Sequence, residues 1–341
     1  MSQADYIKDI AKYGLENDRS NLLNVLNELI EHSKKTRKVN LAIQLQSILK
    51  DSLKQSNNIL TKVGSDSYYN RVEDREFNEL ILEKITSDYT LSNIVVDPNI
   101  KNDLNCFIEE HENIEVLRKF DLPVSNKILL HGPSGCGKTL ASYIIAGELK
   151  KMMMVVNLGS VVSSKLGDTS KNLSKIFRNA SAEDCIIFID EFDSLGKVRD
   201  YNQDHGEMKR VVNTILQLFD YLPQSSIIIA ATNQKEMIDD ALLRRFDFSI
   251  EFLLPNERQI NDLLSLTLDN GKFEFDNKTS AKKIAKKAIG LSYYSIQKTL
   301  ITAIKRSLFE LSKSSSFFQT AKIKTAIWGE LIEKEKVSLN L

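Results

Sequence analysis

The sequence predicts an α/β fold in which a parallel β-sheet lies between helices, with further helical segments before and after it. Five short apolar runs alternate with amphipathic stretches of helical length, the pattern of a parallel sheet covered on both faces. The runs are KILLH (127–131), MVVNL (154–158), CIIFID (185–190), SIIIAAT (226–232) and SIEF (249–252). After Pro255 the strand pattern ends and apolar residues recur at helical spacing.

Changes of pattern along the chain predict four segments. Residues 1–55 carry apolar residues at helical spacing, and we expect them to form an all-α N-terminal domain that recruits a partner or substrate. Residues 56–92 are polar and mixed in period, which is typical of a linker. Residues 93–255 contain the strand pattern, with Asp97 as a helix N-cap and Pro98 at the first helical position, and residues 256–341 are helical.

The composition limits the function classes. Lysine plus arginine and aspartate plus glutamate number 46 each, so bulk positive charge does not favour nucleic acid. The basic run KKTRK (34–38) is either a nucleic-acid contact or a solvated turn between helices. The three cysteines show neither a disulfide framework nor metal-ligand spacing. Without a secretory signal or an apolar stretch of about 18 residues, the sequence indicates a cytoplasmic protein that does not insert into a membrane.

The segment GPSGCGKT (132–139) fits the phosphate-binding pattern G-x-x-x-x-G-K-[ST] and lies, as that pattern requires, between a predicted strand and a predicted helix. Its glycines let backbone N–H groups turn towards phosphate oxygens, its lysine reaches the β- and γ-phosphates, and its threonine hydroxyl ligates Mg²⁺. We therefore expect ATP and Mg²⁺ as ligands. The predicted nucleotide-binding residues are Gly132, Pro133, Ser134, Gly135, Cys136, Gly137, Lys138, Thr139 and Leu140. Cys136 is either a small residue that fits the loop or a redox switch.

Polar residues end two of the predicted strands. Asp190 ends the run CIIFID, at the sheet edge where ligands of open α/β sheets bind, and is predicted to hold Mg²⁺ together with Thr139. Glu191 follows and is predicted to orient and deprotonate the attacking water. Asn233 follows SIIIAAT and is either a turn residue or a side chain that bonds the γ-phosphate or the water.

Taken together, GPSGCGKT, CIIFIDEFDSLGK, IIAATN and DDALLRRFD resemble an AAA ATPase over about residues 93–309. The resemblance implies a P-loop NTPase with a five-stranded parallel sheet and a helical lid, assembled into a homo-oligomeric ring that is usually a hexamer. It also implies that Arg244 and Arg245 are arginine fingers that reach the γ-phosphate held by a neighbouring subunit. From the residues alone, these arginines could instead pair with Asp239, Asp240 or Asp247. The adjacent arginines are most similar to those of the protein-remodelling spastin and katanin branch, and the chain resembles small prokaryotic members.

The sequence departs from the family pattern in the pore loop and in the lid, among other places. Lys165, Leu166 and Gly167 stand where the family carries an aromatic pore loop that grips a substrate polypeptide, and the aromatic residue is missing. Tyr293 and Tyr294 replace small lid residues that approach the base in the family. Residues 94–96 are predicted to line the adenine pocket.

The predicted function is ATP hydrolysis by an oligomeric ring that remodels, unfolds or disassembles a protein substrate or partner. One alternative is a nucleotide-dependent switch or scaffold that regulates a partner enzyme such as a protease, which the missing pore-loop aromatic favours. A second alternative is a DNA-associated motor or loader, which KKTRK and Lys165 favour and the neutral net charge opposes.

Overall fold

The computed structural model describes residues 77, 79–162, 168–196, 205–268, 271–312 and 321–339, together with the single positions Lys8, Val25 and Leu29. The chain divides into two compact units, Met1–Leu60 and Thr61–Leu341, and the fold reported below is that of the second. The predictions for residues 1–55, for KKTRK and for the pore-loop residues Lys165, Leu166 and Gly167 lie outside the described residues.

A six-stranded sheet forms the centre of the second unit. The strands are β1 (Ile81–Ile85), β2 (Lys127–His131), β3 (Met153–Val156), β4 (Ile186–Ile189), β5 (Ile227–Thr232) and β6 (Phe248–Glu251). Their order across the sheet is β1-β3-β4-β5-β2-β6. The neighbouring pairs β3–β4, β4–β5, β5–β2 and β2–β6 are parallel. Each of the five predicted apolar runs forms one of these parallel strands, which confirms the strand pattern.

The prediction of five strands was wrong because β1 adds a sixth, antiparallel to β3. This strand lies within the range predicted to be a linker. Only its two ends, Ile81 and Ile85, are buried, while Glu83 and Lys84 occupy its middle. The Lys84 ammonium bonds Glu183 at 2.6 Å. An edge strand needs no continuous apolar run, because one edge and part of its faces meet water.

Helices cover both faces of the sheet. They are α1 (Pro98–Glu112), α2 (Ile114–Lys119), α3 (Lys138–Glu148), α4 (Leu158–Val161), α5 (Asp168–Glu183), α6 (Asp193–Gly196), α7 (His205–Asp220) and α8 (Asp240–Leu243), with a 3₁₀ turn at Lys235–Met237. The predicted cap of α1 is confirmed, since the Asp97 carboxylate accepts the Asn99 N–H at 2.9 Å. One apolar core lies under α1 and α3 and a second under α5 and α7, so both sides of β4 and β5 are buried.

The C-terminal part, here called the lid, has its own core around the fully buried Trp328. Its helices are α9 (Glu257–Leu268), α10 (Lys278–Lys287), α11 (Tyr293–Ser312) and α12 (Thr325–Ser338). The expectation of a purely helical lid was wrong, because β7 (Phe273–Phe275) and β8 (Ala321–Ile323) form a small parallel sheet. Strands of three residues are too short to produce a periodic pattern. Within the described residues, no helix is both long and apolar enough to cross a membrane.

Candidate nucleotide-binding site

The phosphate loop joins the end of β2 to the start of α3 and depends on glycine geometry. Gly132 has a φ of 126°, and a Cβ atom there would lie 2.1 Å from the Phe252 carbonyl oxygen. Gly135 has a φ of 74°, and its Cβ would lie 2.7 Å from the Ser292 hydroxyl oxygen. These positions leave room for backbone only, so the loop can turn its N–H groups towards one point at the N-terminus of α3.

Lys138 lies across this loop rather than extending into solvent. Its ammonium donates to the carbonyl oxygens of Gly132 at 2.7 Å and Pro133 at 2.9 Å, and to Asn233 Oδ1 at 2.7 Å. Burial lowers the pKa of Lys138 from its ordinary value, an effect that the nearby Cys136 and Asp190 oppose. A partly desolvated cation at the mouth of a glycine-rich loop is suited to bind phosphate oxygens.

Thr139 and Asp190 provide two oxygen ligands at the same place. The Thr139 hydroxyl donates to Asp190 Oδ2 at 3.3 Å, although the two residues come from α3 and from the end of β4. Hydroxyl and carboxylate oxygens are the hard ligands that Mg²⁺ prefers, and the pair leaves further coordination positions for water and phosphate. The residues therefore fit the magnesium ion that the sequence predicts.

Glu191 lies in a strained turn after β4. Its φ is 51°, a left-handed conformation that is uncommon for a residue with a side chain. Its own N–H bonds Asp190 Oδ1 at 2.9 Å, and the next N–H, of Phe192, bonds the Ala231 carbonyl oxygen at 2.9 Å. The neighbouring strand thus holds this turn in place, which is how strain persists at functional sites.

The cleft around these groups has a volume of about 630 Å³ and extends from the phosphate loop to the lid. Its far end is apolar and is formed by Ile94 and Val95 before α1, and by Leu263 and Leu266 of α9. The predicted adenine-pocket residues Ile94 and Val95 therefore line the cleft. Val96, by contrast, lines a neighbouring cavity of about 210 Å³.

The start of α11 closes one side of the cleft. Tyr293 and Tyr294 both line it, and Tyr293 packs against the sheet core and the lid core together. Burial is the main cause that raises the pKa of the Tyr293 hydroxyl. The Tyr294 ring is largely exposed. The lid therefore contributes two tyrosines to the lining of the cleft.

Arg244 and Arg245 do not line this cleft. Arg245 pairs with Asp220, which none of the sequence alternatives included, at 3.4 Å. Arg244 is exposed, and its guanidinium contacts no carboxylate among the described residues. Asp239 instead caps α8, and Asp247 accepts the N–H groups of two residues on and beside β2. Two of the three aspartates that the sequence offered as partners are thus bonded elsewhere.

The structure brings most of the predicted site together and adds residues to it. The predicted residues that line the cleft are Ser134, Gly135, Cys136, Gly137, Lys138, Thr139, Leu140, Asp190, Glu191 and Asn233. Gly132 and Pro133 form the start of the loop and accept from Lys138. Sequence reasoning missed Leu263, Leu266 and Gln297, which face the cleft from α9 and α11. The pattern after Pro255 predicted helices there but not which of their side chains face the cleft.

This sheet order, with a phosphate loop after β2 and acids after β4, defines a P-loop nucleoside triphosphatase. The sequence profile of the "ATPase family associated with various cellular activities (AAA)" matches residues 128–254. An AAA family ATPase of Sinorhizobium fredii is 34% identical over 232 residues, which cover 68% of this chain and 69% of the relative. The chain belongs to the AAA family, and it is therefore an ATPase that binds ATP with Mg²⁺.

Two further relatives are matched over a smaller share of their length. A 26S proteasome regulatory subunit homologue of Methanocaldococcus jannaschii is 33% identical over 187 residues, which are 54% of this chain and 50% of that protein. An ATP-dependent zinc metalloprotease, FtsH 3 of Sphaerobacter thermophilus, is 27% identical over 275 residues, which are 78% of this chain and 56% of that protein. The chain thus spans about half the length of each of these two relatives.

Proposed function

We propose that this chain is one subunit of a homo-oligomeric ring, a hexamer, that couples ATP hydrolysis to the remodelling of a protein substrate or partner. The observation that carries the proposal is Arg244, an exposed cation outside the chain's own cleft, without a carboxylate partner in the described parts of the chain. An arginine that forms no ion pair within the described residues of its own subunit can bind an anion elsewhere. The γ-phosphate of ATP held by a second copy of the chain is such an anion.

Within one subunit, the proposed roles follow from the contacts. Lys138 exchanges its carbonyl and amide acceptors for phosphate oxygens, which gives a stronger, charge-assisted bond. Thr139 and Asp190 hold Mg²⁺, which supplies charge neutralisation at the phosphates when bound. Glu191 orients and deprotonates the attacking water, because its carboxylate is exposed in the cleft beside Asp190.

Asn233 is proposed to report whether the terminal phosphate is present. Its side-chain oxygen accepts from Lys138 at 2.7 Å, so an anion that draws the ammonium away frees the amide. The freed amide can bond the phosphate or the attacking water. The turn interpretation of Asn233 does not account for this contact across 95 residues of chain.

Mixing two inactive variants tests the ring. Arg244→Ala supplies an intact cleft without the proposed finger, and Glu191→Gln supplies the finger with an inactive cleft. If arginines act across the interface, mixed assemblies regain part of the turnover that each variant has lost, because intact clefts then meet intact fingers. Turnover that stays at the level of the pure variants at every mixing ratio would rule out a finger supplied in trans.

A second candidate is a nucleotide-dependent switch that regulates a partner enzyme such as a protease. The sequence feature that favours it is KLG (165–167), which lacks the aromatic residue of a gripping loop. Glu191→Gln, expected to keep ATP bound, can be used to capture the protein on which the assembly acts. If Lys165→Ala and Leu166→Ala leave the effect on that protein unchanged, the switch is favoured; if they abolish it, remodelling through a pore is favoured.

A further inference from the structure

A lysine and a histidine form a bonded pair beside the phosphate loop. Lys235 Nζ lies 3.2 Å from His131 Nε2 and 2.9 Å from the Ser249 hydroxyl oxygen. A lysine ammonium has only donors, so the histidine nitrogen must be the acceptor. The imidazole is therefore neutral in this arrangement and carries its proton on Nδ1.

The pair lies just before the start of the phosphate loop, whereas Lys138 lies near the end of the loop. His131 is the last residue of β2 and immediately precedes Gly132. Lys235 stands two residues after Asn233, whose side chain accepts from Lys138 at 2.7 Å. One three-residue segment, 233–235, thus contacts both the residue that precedes the phosphate loop and Lys138 near the end of the loop.

We propose that Lys235 is a positioning residue for hydrolysis, which holds the neutral imidazole of His131 and thereby keeps the Asn233 amide aimed at Lys138. The inference rests on the role proposed for Asn233. Ser249, on β6, accepts the second bond of Lys235, so the same ammonium ties the segment after β5 to both β2 and β6. One cation thus links β2 and β6 to the segment that carries Asn233.

The charges around His131 make this arrangement sensitive to acid. His131 is 8% exposed, and burial, followed by the charge of Lys235, lowers its pKa. Lys138 acts in the same direction, whereas Glu251 and Glu236 raise the pKa. When the pH falls through this lowered pKa, the imidazole gains a proton, loses its acceptor and repels Lys235. Acid therefore has the same effect as removing the lysine.

The first test separates positioning from binding. In Lys235→Met, kcat is expected to fall by roughly tenfold to a hundredfold, the range for a catalytic group displaced by about 1 Å, while the Kd for ATP stays within about twofold. Lys235→Arg, which keeps a cationic donor, should recover part of the loss. The control is Lys151→Met, since Lys151 also donates to two oxygens at 2.8 Å but lies at the other end of the sheet.

The second test uses the pH dependence of turnover and the NMR titration of the histidine C2 protons. His131→Gln keeps a side-chain acceptor for Lys235 but cannot titrate, so the loss of kcat at acid pH should disappear. His111→Gln is the control, because burial also lowers the pKa of His111, which bonds Ser125 away from the cleft. In Lys235→Met, the His131 signal should titrate at higher pH than in the wild type.

The outcomes distinguish this inference from the role of Asn233. If Asn233→Ala lowers kcat and Lys235→Met does not, positioning by Lys235 is wrong and the role of Asn233 stands. If Asn233→Ala leaves kcat unchanged, the proposed role of Asn233 is wrong. An unshifted His131 titration in Lys235→Met would show that the pair does not form in solution, and thermal unfolding of each variant identifies losses that are due to misfolding.

Discussion

The backbone N–H of Tyr294, in the first turn of α11, donates a hydrogen bond to the carbonyl oxygen of Gly135 in the phosphate loop at 3.1 Å. This bond joins the lid directly to the loop. A movement of the lid away from the sheet must break this bond or shift the loop that binds phosphate. We therefore expect nucleotide binding and the position of the lid to be coupled through this backbone bond.

Gly135→Ala tests this coupling. The new methyl group would lie 2.7 Å from the Ser292 hydroxyl and 3.0 Å from Tyr294 Cβ, and φ is already 74°. We expect ATP affinity to fall by at least about tenfold, because the lid and the loop must separate. Gly271→Ala is the matched control, since Gly271 has a φ of 65° with no atom within 4 Å of the added Cβ. Equal losses of ATP affinity in both variants would attribute the effect to backbone strain alone.

Lys138→Ala is expected to lower ATP affinity strongly, not only turnover. The ammonium makes three bonds in the free protein and is the one cation among the described residues that line the cleft. Hydrogen bonds to charged groups contribute about 1.5–3 kcal/mol each, so losing two phosphate contacts lowers affinity by a factor on the order of a hundred or more. Isothermal titration calorimetry measures this, and ATP affinity equal to that of the wild type would contradict the assignment of the loop.

Stability should fall at mildly acidic pH. Burial is the main cause that lowers the pKa values of both His111 and His131 in the folded protein. The unfolded chain then binds more protons than the folded chain as pH falls through the ordinary histidine range near 6.5, so the free energy of unfolding rises with pH there. Chemical denaturation between pH 5 and 8 measures the slope, which should decrease in His111→Gln and His131→Gln. An unchanged slope in both variants would contradict these pKa directions.

The parallel strands could be predicted from sequence because their chemistry is uniform. Strands such as β4 and β5 are covered on both faces, so nearly every position is apolar and the run is continuous. The edge strand β1 was not predicted because Glu83 and Lys84 meet solvent or a partner charge. The small sheet of the lid was not predicted because three residues define no period.

The candidate site could be predicted only where a motif joins residue type to spacing. Lys138 and Asp190 were predicted in this way, since the loop and the strand end fix where each side chain must lie. The pair of His131 and Lys235, 104 positions apart, carries no such pattern and depends on tertiary packing. The Asp220 partner of Arg245 was missed for the same reason, because α7 and α8 meet only in the folded chain.

The two adjacent arginines should not be equivalent in their effect on the subunit itself. Arg245 pairs with Asp220 at 3.4 Å, and both side chains are partly exposed, so the pair contributes at most about 1 kcal/mol to stability. Arg244 makes no such pair within the described residues. We expect Arg244→Ala to leave thermal unfolding and ATP affinity unchanged while turnover falls by about 10³–10⁵, the contribution of an arginine finger in related phosphoryl-transfer enzymes.

Asp220→Asn is the control for Arg245, because it breaks the ion pair and leaves both arginines in place. If Arg245 is a finger, Arg245→Ala lowers turnover far more than Asp220→Asn does. If Arg245 serves only to hold α8 against α7, the two variants lose turnover and stability to a similar extent. Turnover assays and thermal unfolding of the variants separate these outcomes, and wild-type turnover in Arg244→Ala would show that the exposed arginine does not act on a neighbouring subunit's ATP.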